Sequence, residues 1–184
     1  MGRNKALLDF GGEPLIARLH RLLTSAFEEV LISANDAEPY EFLGALVVPD
    51  IFPNGGSLAG IHAGLAHSRA ERCFFAACDM PLLNIELVRH LYQLADDFDV
   101  VIPRSTNGLE PLHSFYSRRC IPYIEDQLKR GNLRILDFFT HVKVREVTAE
   151  ELRSYDPDEI SYFNINTLED YQLARKRLDS DRTV

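Results

Sequence analysis

Five consecutive apolar residues, Phe74-Phe75-Ala76-Ala77-Cys78, run straight into Asp79-Met80-Pro81. No other stretch constrains the chain as much. A short unbroken apolar run is the pattern of a strand buried on both faces of a parallel sheet, whereas a strand with one wet face alternates. Such a strand needs helices above and below it. A carboxylate at its carboxyl end sits where open α/β sheets hold their ligands. Left unpaired there it would lose much of its solvation, so Asp79 requires a partner: a metal ion, a backbone N–H or a cation. The plainer role, capping the helix that follows, is one for which Asn84 is better placed.

Reading outward from this strand, Leu15, Ile16, Leu19, Leu22, Leu23 and Ala26 recur at helical spacing behind Pro14, which suits a first helical turn. Val30-Leu31-Ile32 and Leu46-Val47-Val48 are short buried strands, with a weak helix near residues 38–43 between them. A helix opens at Ser57, and its Gly60 and Gly64 leave one bare face for close approach to a sheet or a ligand. Asn84 caps the next helix, Val100-Val101-Ile102 forms another buried strand, and Leu112–Tyr116 a further one. Ser117 caps a helix stopped by Gly131. A short helix over 133–139, an alternating strand over 142–147 and a final helix opened by a capping box at Thr167–Asp170 complete the order. Strands alternating with helices predict one α/β domain, 1–184, with a mostly parallel sheet covered on both faces. Asn35, Asp50, Asp79 and Arg104 each follow a predicted buried strand. Each alone is an ordinary turn residue; four at one rim point to a binding crevice.

Composition excludes more than it selects. A net charge of −8 with no basic stripe argues against a general nucleic-acid binder. No apolar run approaches the roughly 20 residues that span a bilayer, and no signal peptide opens the sequence. Cys73, Cys78 and Cys120 lack redox or zinc spacing, and Cys73 and Cys78 read as small core residues in a reducing cytoplasm. The six histidines are scattered without ligand spacing.

With these residues in view, the chain resembles the molybdenum cofactor guanylyltransferase family nearly end to end. The matching pieces are Met1-Gly2-Arg3-Asn4-Lys5-Ala6-Leu7-Leu8, Gly11-Gly12-Glu13-Pro14-Leu15, Ser57-Leu58-Ala59-Gly60-Ile61, Cys78-Asp79-Met80-Pro81, Glu110-Pro111-Leu112 and Asn164-Ile165-Asn166-Thr167. The resemblance implies a Rossmann-like, three-layer αβα nucleotidyltransferase that moves GMP from GTP to molybdopterin carrying molybdenum, with Mg2+. It implies that Lys5 contacts the nucleotide phosphates and that Asn35 and Asp50 bind the guanosine part. Asp79 would hold the metal and touch GTP, and Asn164 and Asn166 would lie near the metal or the pterin phosphate. Molybdoenzyme chaperones are the implied protein partners. The residue types suit the chemistry: magnesium prefers oxygen donors, a lysine neutralises departing phosphate, and no side-chain nucleophile is needed.

The departures matter too. The family opens with a buried strand and a loop, Leu-Ala-Gly-Gly-x-Ser-x-Arg, ahead of the Met-Gly with which this sequence starts. The expectation is therefore a fold with its first strand missing from mid-sheet, beside the strand ending at Asp79, and a working protein longer than this sequence. Asn4 stands where an acid is usual and Ser57 where proline is common. A non-catalytic module binding nucleotide or pterin, and a cytidylyl- or sugar-nucleotide transferase on the same fold, remain the competing readings.

Overall fold

The structure is a computed structural model that describes residues 4–181. Met1, Gly2 and Arg3 of the first matching piece lie outside the described residues. Strands β1 (Leu31–Ser33) and β2 (Leu46–Val48) pair in parallel as a small sheet. A larger sheet contains β3 (Arg72–Ala76), β4 (Val100–Ser105), β5 (Gly108–Leu109), β6 (His113–Ser117) and β7 (Val144–Thr148). Its order is β3-β6-β4-β5, with β7 parallel to β4.

The helices are α1 (Leu15–Thr24), α2 (Gly56–His67), α3 (Ile85–Gln93), α4 (Ile121–Lys129), α5 (Ala149–Leu152) and α6 (Leu168–Asp181). Adjacent strand residues face opposite cores, as a period of two requires. Phe74, Val101 and Phe115 pack with Leu19 of α1 and Leu87, Val88 and Leu91 of α3. Phe75, Val100, Ile102 and Tyr116 pack with Leu58, Ile61 and Leu65 of α2 and Ile124 and Leu128 of α4. The result is the expected three-layer αβα arrangement. Pairing within the large sheet is more mixed than the expected mostly parallel pattern, because β6 lies antiparallel between β3 and β4. A strand buried on both faces has the same apolar run whichever way it points, so the sequence carries no mark of this reversal.

Local chemistry sets the element ends. The Asn84 side chain accepts from the N–H groups of Glu86 and Leu87, capping α3. Gly131, at φ +71°, ends the stretch after α4 in the left-handed conformation. Asp170 accepts from the backbone N–H groups of Asn166 and Thr167, whose hydroxyl in turn accepts from the Asp170 N–H, a reciprocal cap on α6. One face of α6, through Ala174 and Leu178, buries Phe10, Leu82 and Ile165, which anchors the 164–166 segment from beneath. Among the described residues no helix is long and apolar enough to cross a membrane.

The bare face of α2 does structural work at two places. A Cβ on Gly60 would stand 3.3 Å from Ser33 Oγ of β1, and one on Gly64 only 2.6 Å from Phe75 Cε1 of β3. One helix thus lies close across strands of both sheets. Gly64→Ala must displace an aromatic ring packed in the core. The overpacking cost, about 1–3 kcal/mol, exceeds the helix-propensity gain of about 1 kcal/mol. Urea unfolding should therefore show a lower midpoint for Gly64→Ala and an unchanged or slightly raised one for Gly60→Ala.

Candidate active site

Backbone bonds deliver Asp79 to the rim. The Ala77 N–H donates to the Leu112 carbonyl, extending the β3–β6 ladder, and the Met80 N–H donates to the Ala77 carbonyl, closing a turn. The Asp79 carbonyl accepts from the Ile165 N–H at 2.9 Å, so the 164–166 segment is laced directly to the strand end. The Asp79 carboxylate meets Lys5 Nζ at 3.8 Å. Lys5 Nζ also donates to Asn166 Oδ1 at 2.9 Å. The partner that burial demanded for Asp79 is therefore a cation from the start of the chain. Both side chains keep partial exposure, 34% for Lys5 and 22% for Asp79, so a solute can reach them.

Asn35 and Asp50 form a second group. Parallel pairing sets Ser33 opposite Val48, which brings the residues just beyond both strands together. Asn35 Nδ2 donates to Asp50 Oδ2 at 3.0 Å and the Asp50 N–H donates to Asn35 Oδ1 at 2.9 Å. The remaining carboxylate oxygen has only a long 3.5 Å contact from Ser33 Oγ. The 3₁₀ turn Lys5–Leu7 lies between the two groups. Its buried Ala6 packs in one cluster with Ile32, Tyr40 and Cys78, and Asn4 Nδ2 donates to the Tyr40 hydroxyl at 3.0 Å while Asn4 Oδ1 accepts from the Ala6 N–H. An acid at position 4 could cap that turn but could not donate to Tyr40.

Two other expected members make different contacts. Asn164 donates to the Tyr162 carbonyl two residues back at 3.3 Å, whereas Asn166 joins Lys5. Arg104 lies inside β4, not beyond it, and pairs with Glu146 of β7 at 2.6 Å. Burial, and then the neighbouring Asp79 charge, push the Cys78 thiol pKa upward, so this cysteine stays protonated and inert. Among the described residues no three His, Cys, Asp or Glu side chains assemble as a metal cage. One accessible carboxylate still fits magnesium, which is commonly held by one or two carboxylates with waters and substrate phosphates completing its shell.

The MobA-like NTP transferase domain matches residues 1–145. The chain is 39% identical over 183 residues to a probable molybdenum cofactor guanylyltransferase of Pelotomaculum thermopropionicum, a match covering 100% of this chain and 89% of that relative. It is 37% identical over 184 residues to a molybdenum cofactor guanylyltransferase of Desulfosudis oleivorans, covering 98% and 90%. Among solved structures, the molybdopterin-guanine dinucleotide biosynthesis protein A of Archaeoglobus fulgidus superposes with a TM-score of 0.85 at 30% identity, over 97% of this chain and 92% of that one.

Behind the site lies a group that periodicity could not reveal. His113, paired in register with Ala76, is fully buried and packs edge-on against Phe74 and Tyr162, with ring centroids 5.1 and 4.8 Å apart. Neither of its ring nitrogens nor the Tyr162 hydroxyl finds a hydrogen-bond partner. Burial drives the imidazole pKa down from 6.5 to about 3. The folded histidine therefore stays neutral while the unfolded one takes up a proton, so its contribution to stability falls as pH drops below 6.5 and continues falling toward 3. Chemical denaturation should show wild type losing about 1.5 kcal/mol more than His113→Leu between about pH 6.5 and about pH 5. Parallel pH profiles for the two proteins would contradict a neutral buried imidazole.

Proposed function

Because this chain belongs to the MobA-like NTP transferase family, we propose that it transfers GMP from GTP to the terminal phosphate of molybdopterin carrying molybdenum. An oxygen of the acceptor phosphate forms a bond to the α-phosphorus of GTP, the bond from that phosphorus to the bridging oxygen breaks, and pyrophosphate leaves with the electron pair. The observation that carries this reading is the Lys5–Asp79–Asn166 group: cation, carboxylate and amide from three remote stretches, joined just beyond the half-buried strand β3.

Each residue then has a task its chemistry suits. Lys5 draws the triphosphate in and offsets the charge that develops as pyrophosphate departs. Asp79 would hold Mg2+ and orient GTP. When bound, the ion would supply Lewis-acid charge and a template for the two anions. Asp50, kept in place by Asn35, offers a carboxylate oxygen to the N–H donors of guanine, which favours GTP over CTP. Asn166, and Asn164 after release from its local carbonyl, meet the acceptor phosphate. The reaction belongs to the cytoplasm, with molybdoenzyme chaperones receiving the product.

The test is GMP transfer followed by pyrophosphate release. Asp79→Ala should retain its circular dichroism spectrum and lose about 10³-fold in turnover, and Lys5→Ala should lose about 10²-fold, the scale of removing preorganised charge from a transferring phosphate. Chelation by EDTA should stop transfer and added magnesium restore it. Turnover within a few-fold of wild type in Asp79→Ala would sink the assignment. GTP binding without pyrophosphate release would instead favour a binding module, and a larger thermal shift with CTP or UTP than with GTP a different nucleotide specificity.

A further inference from the structure

Glu110 stands on the same rim as Asp79, yet neither the phosphates nor the guanine of GTP requires it. Strand β6 runs antiparallel to β3, so the residues before β6 lie at the edge of the sheet where β3 ends. The register sets Ala76 opposite His113, and the Ala77 N–H donates to the Leu112 carbonyl at 3.1 Å. A turn then carries Glu110 away from β3: its carbonyl accepts from the His113 N–H, and its own N–H donates to the Pro103 carbonyl of β4, each at 3.0 Å. Strand β6 lies between β3 and β4, which sets Glu110 two strand spacings, about 10 Å, across the rim from Asp79. The small sheet lies on the other flank, since β6 occupies one edge of β3 and Ile32 of β1 packs with Cys78. Along the rim the order is therefore Asp50, Asp79, Glu110.

The Glu110 carboxylate is held but not satisfied. One oxygen, Oε1, accepts from the Ser105 hydroxyl at 2.6 Å. The other accepts from no described residue, and among the described residues no cation pairs with either. The residue is half-buried. Burial raises its pKa above the ordinary carboxylate value, the Ser105 hydrogen bond offsets part of the rise, and the charge of Glu159 adds to it. A carboxylate drawn from water without a counter-charge calls for N–H donors. The buried side chains nearby supply none: His113 and Tyr162 have polar atoms without hydrogen-bond partners of their own. Glu110 keeps partial exposure at the rim, so a ligand can bring the donors.

We propose that Glu110 recognises the pterin ring of the acceptor, its carboxylate accepting from the ring N3–H and the 2-amino group. That role rests on the guanylyl transfer proposed above. The two donors lie side by side on one edge of the ring, a match for a carboxylate whose oxygens each take two hydrogen bonds. Guanine presents the same amino-oxo edge, so two substrates with one kind of edge call for two carboxylates. Asp50 and Glu110 supply them on opposite flanks of Asp79, where the phosphates meet. The amino edge is also the end of the pterin system remote from its phosphate. An acceptor with its phosphate at Asn166 therefore reaches across β6 toward β4, where Glu110 stands.

Ring fluorescence tests this apart from turnover. The 184-residue chain is titrated with 6-hydroxymethylpterin phosphate and with the matching lumazine, in which a carbonyl replaces the 2-amino group and turns an acceptor toward Glu110. Wild type should bind the pterin at least about 10-fold more tightly than the lumazine, the scale of one hydrogen bond to a charged group. Glu110→Gln still accepts from Ser105 but can donate to the lumazine carbonyl. It should lose that preference, bind the pterin at least about 10-fold more weakly than wild type, and keep GTP affinity within about 2-fold. Should this variant fail to fold, Glu110→Asp, which withdraws the charge by one methylene, should show a smaller loss confined to the pterin. No pterin binding, equal binding of the two rings by wild type, an undiminished preference in Glu110→Gln, or weakened GTP binding in either variant would each overturn the proposal. A wild type that prefers the pterin through Glu110 yet releases no pyrophosphate would instead sink the transfer reading and support recognition of the ring.

Discussion

Residues 4–7 form the joint on which the rest of the molecule turns. Ala6 is buried where the carboxyl ends of β1 and β3 converge. From that single turn Lys5 reaches Asp79 and Asn166 on one side, and Asn4 reaches Tyr40 on the other. The burial of one methyl group is a small energy, but it fixes where an ammonium and an amide stand. Removing the turn would leave Asp79 without that cation. The hydrogen bonds outward from Lys5 and Asn4 are exposed and individually weak, so their geometry depends on the apolar contact beneath them.

Much of this was legible in the residues. The apolar run before Asp79, the alternation of strands with helices, the Asn84 cap and the Thr167–Asp170 cap follow from local patterns, and local hydrogen bonds enforce them in the fold. What was not legible depends on contacts between remote stretches. Lys5 and Asn166 are 161 positions apart, and nothing in the neighbourhood of either names the other. The Asn35–Asp50 pair depends on the register of β1 against β2, which is set by packing and not by a turn. Asn164 and Asn166 differ in partner because the chain leaves a 3₁₀ turn at Tyr162, whose carbonyl accepts from the first amide. His113 looked like one of six scattered histidines, and only its place opposite Ala76 buries it.

The glycines of α2 show how one sequence feature can be read correctly and still understate its meaning. A bare helix face predicts close approach, and close approach is found, but to two strands belonging to different sheets. That helix, with the Glu29 contacts to Ser68 and Arg69, holds the small sheet in place. A two-stranded sheet is marginal by itself, so Asn35 and Asp50 keep their positions through contacts that other elements supply.

This has a chemical consequence. Transfer between two phosphates requires the reacting atoms to be aligned, and a misplacement of about 1 Å can cost about 10²-fold in rate. Here the group around Asp79 stands on the large sheet and the Asn35–Asp50 pair on the small one. The contacts that join the two sheets, Gly60 of α2 against Ser33 and Glu29 against Ser68 and Arg69, therefore set the distance between the two groups.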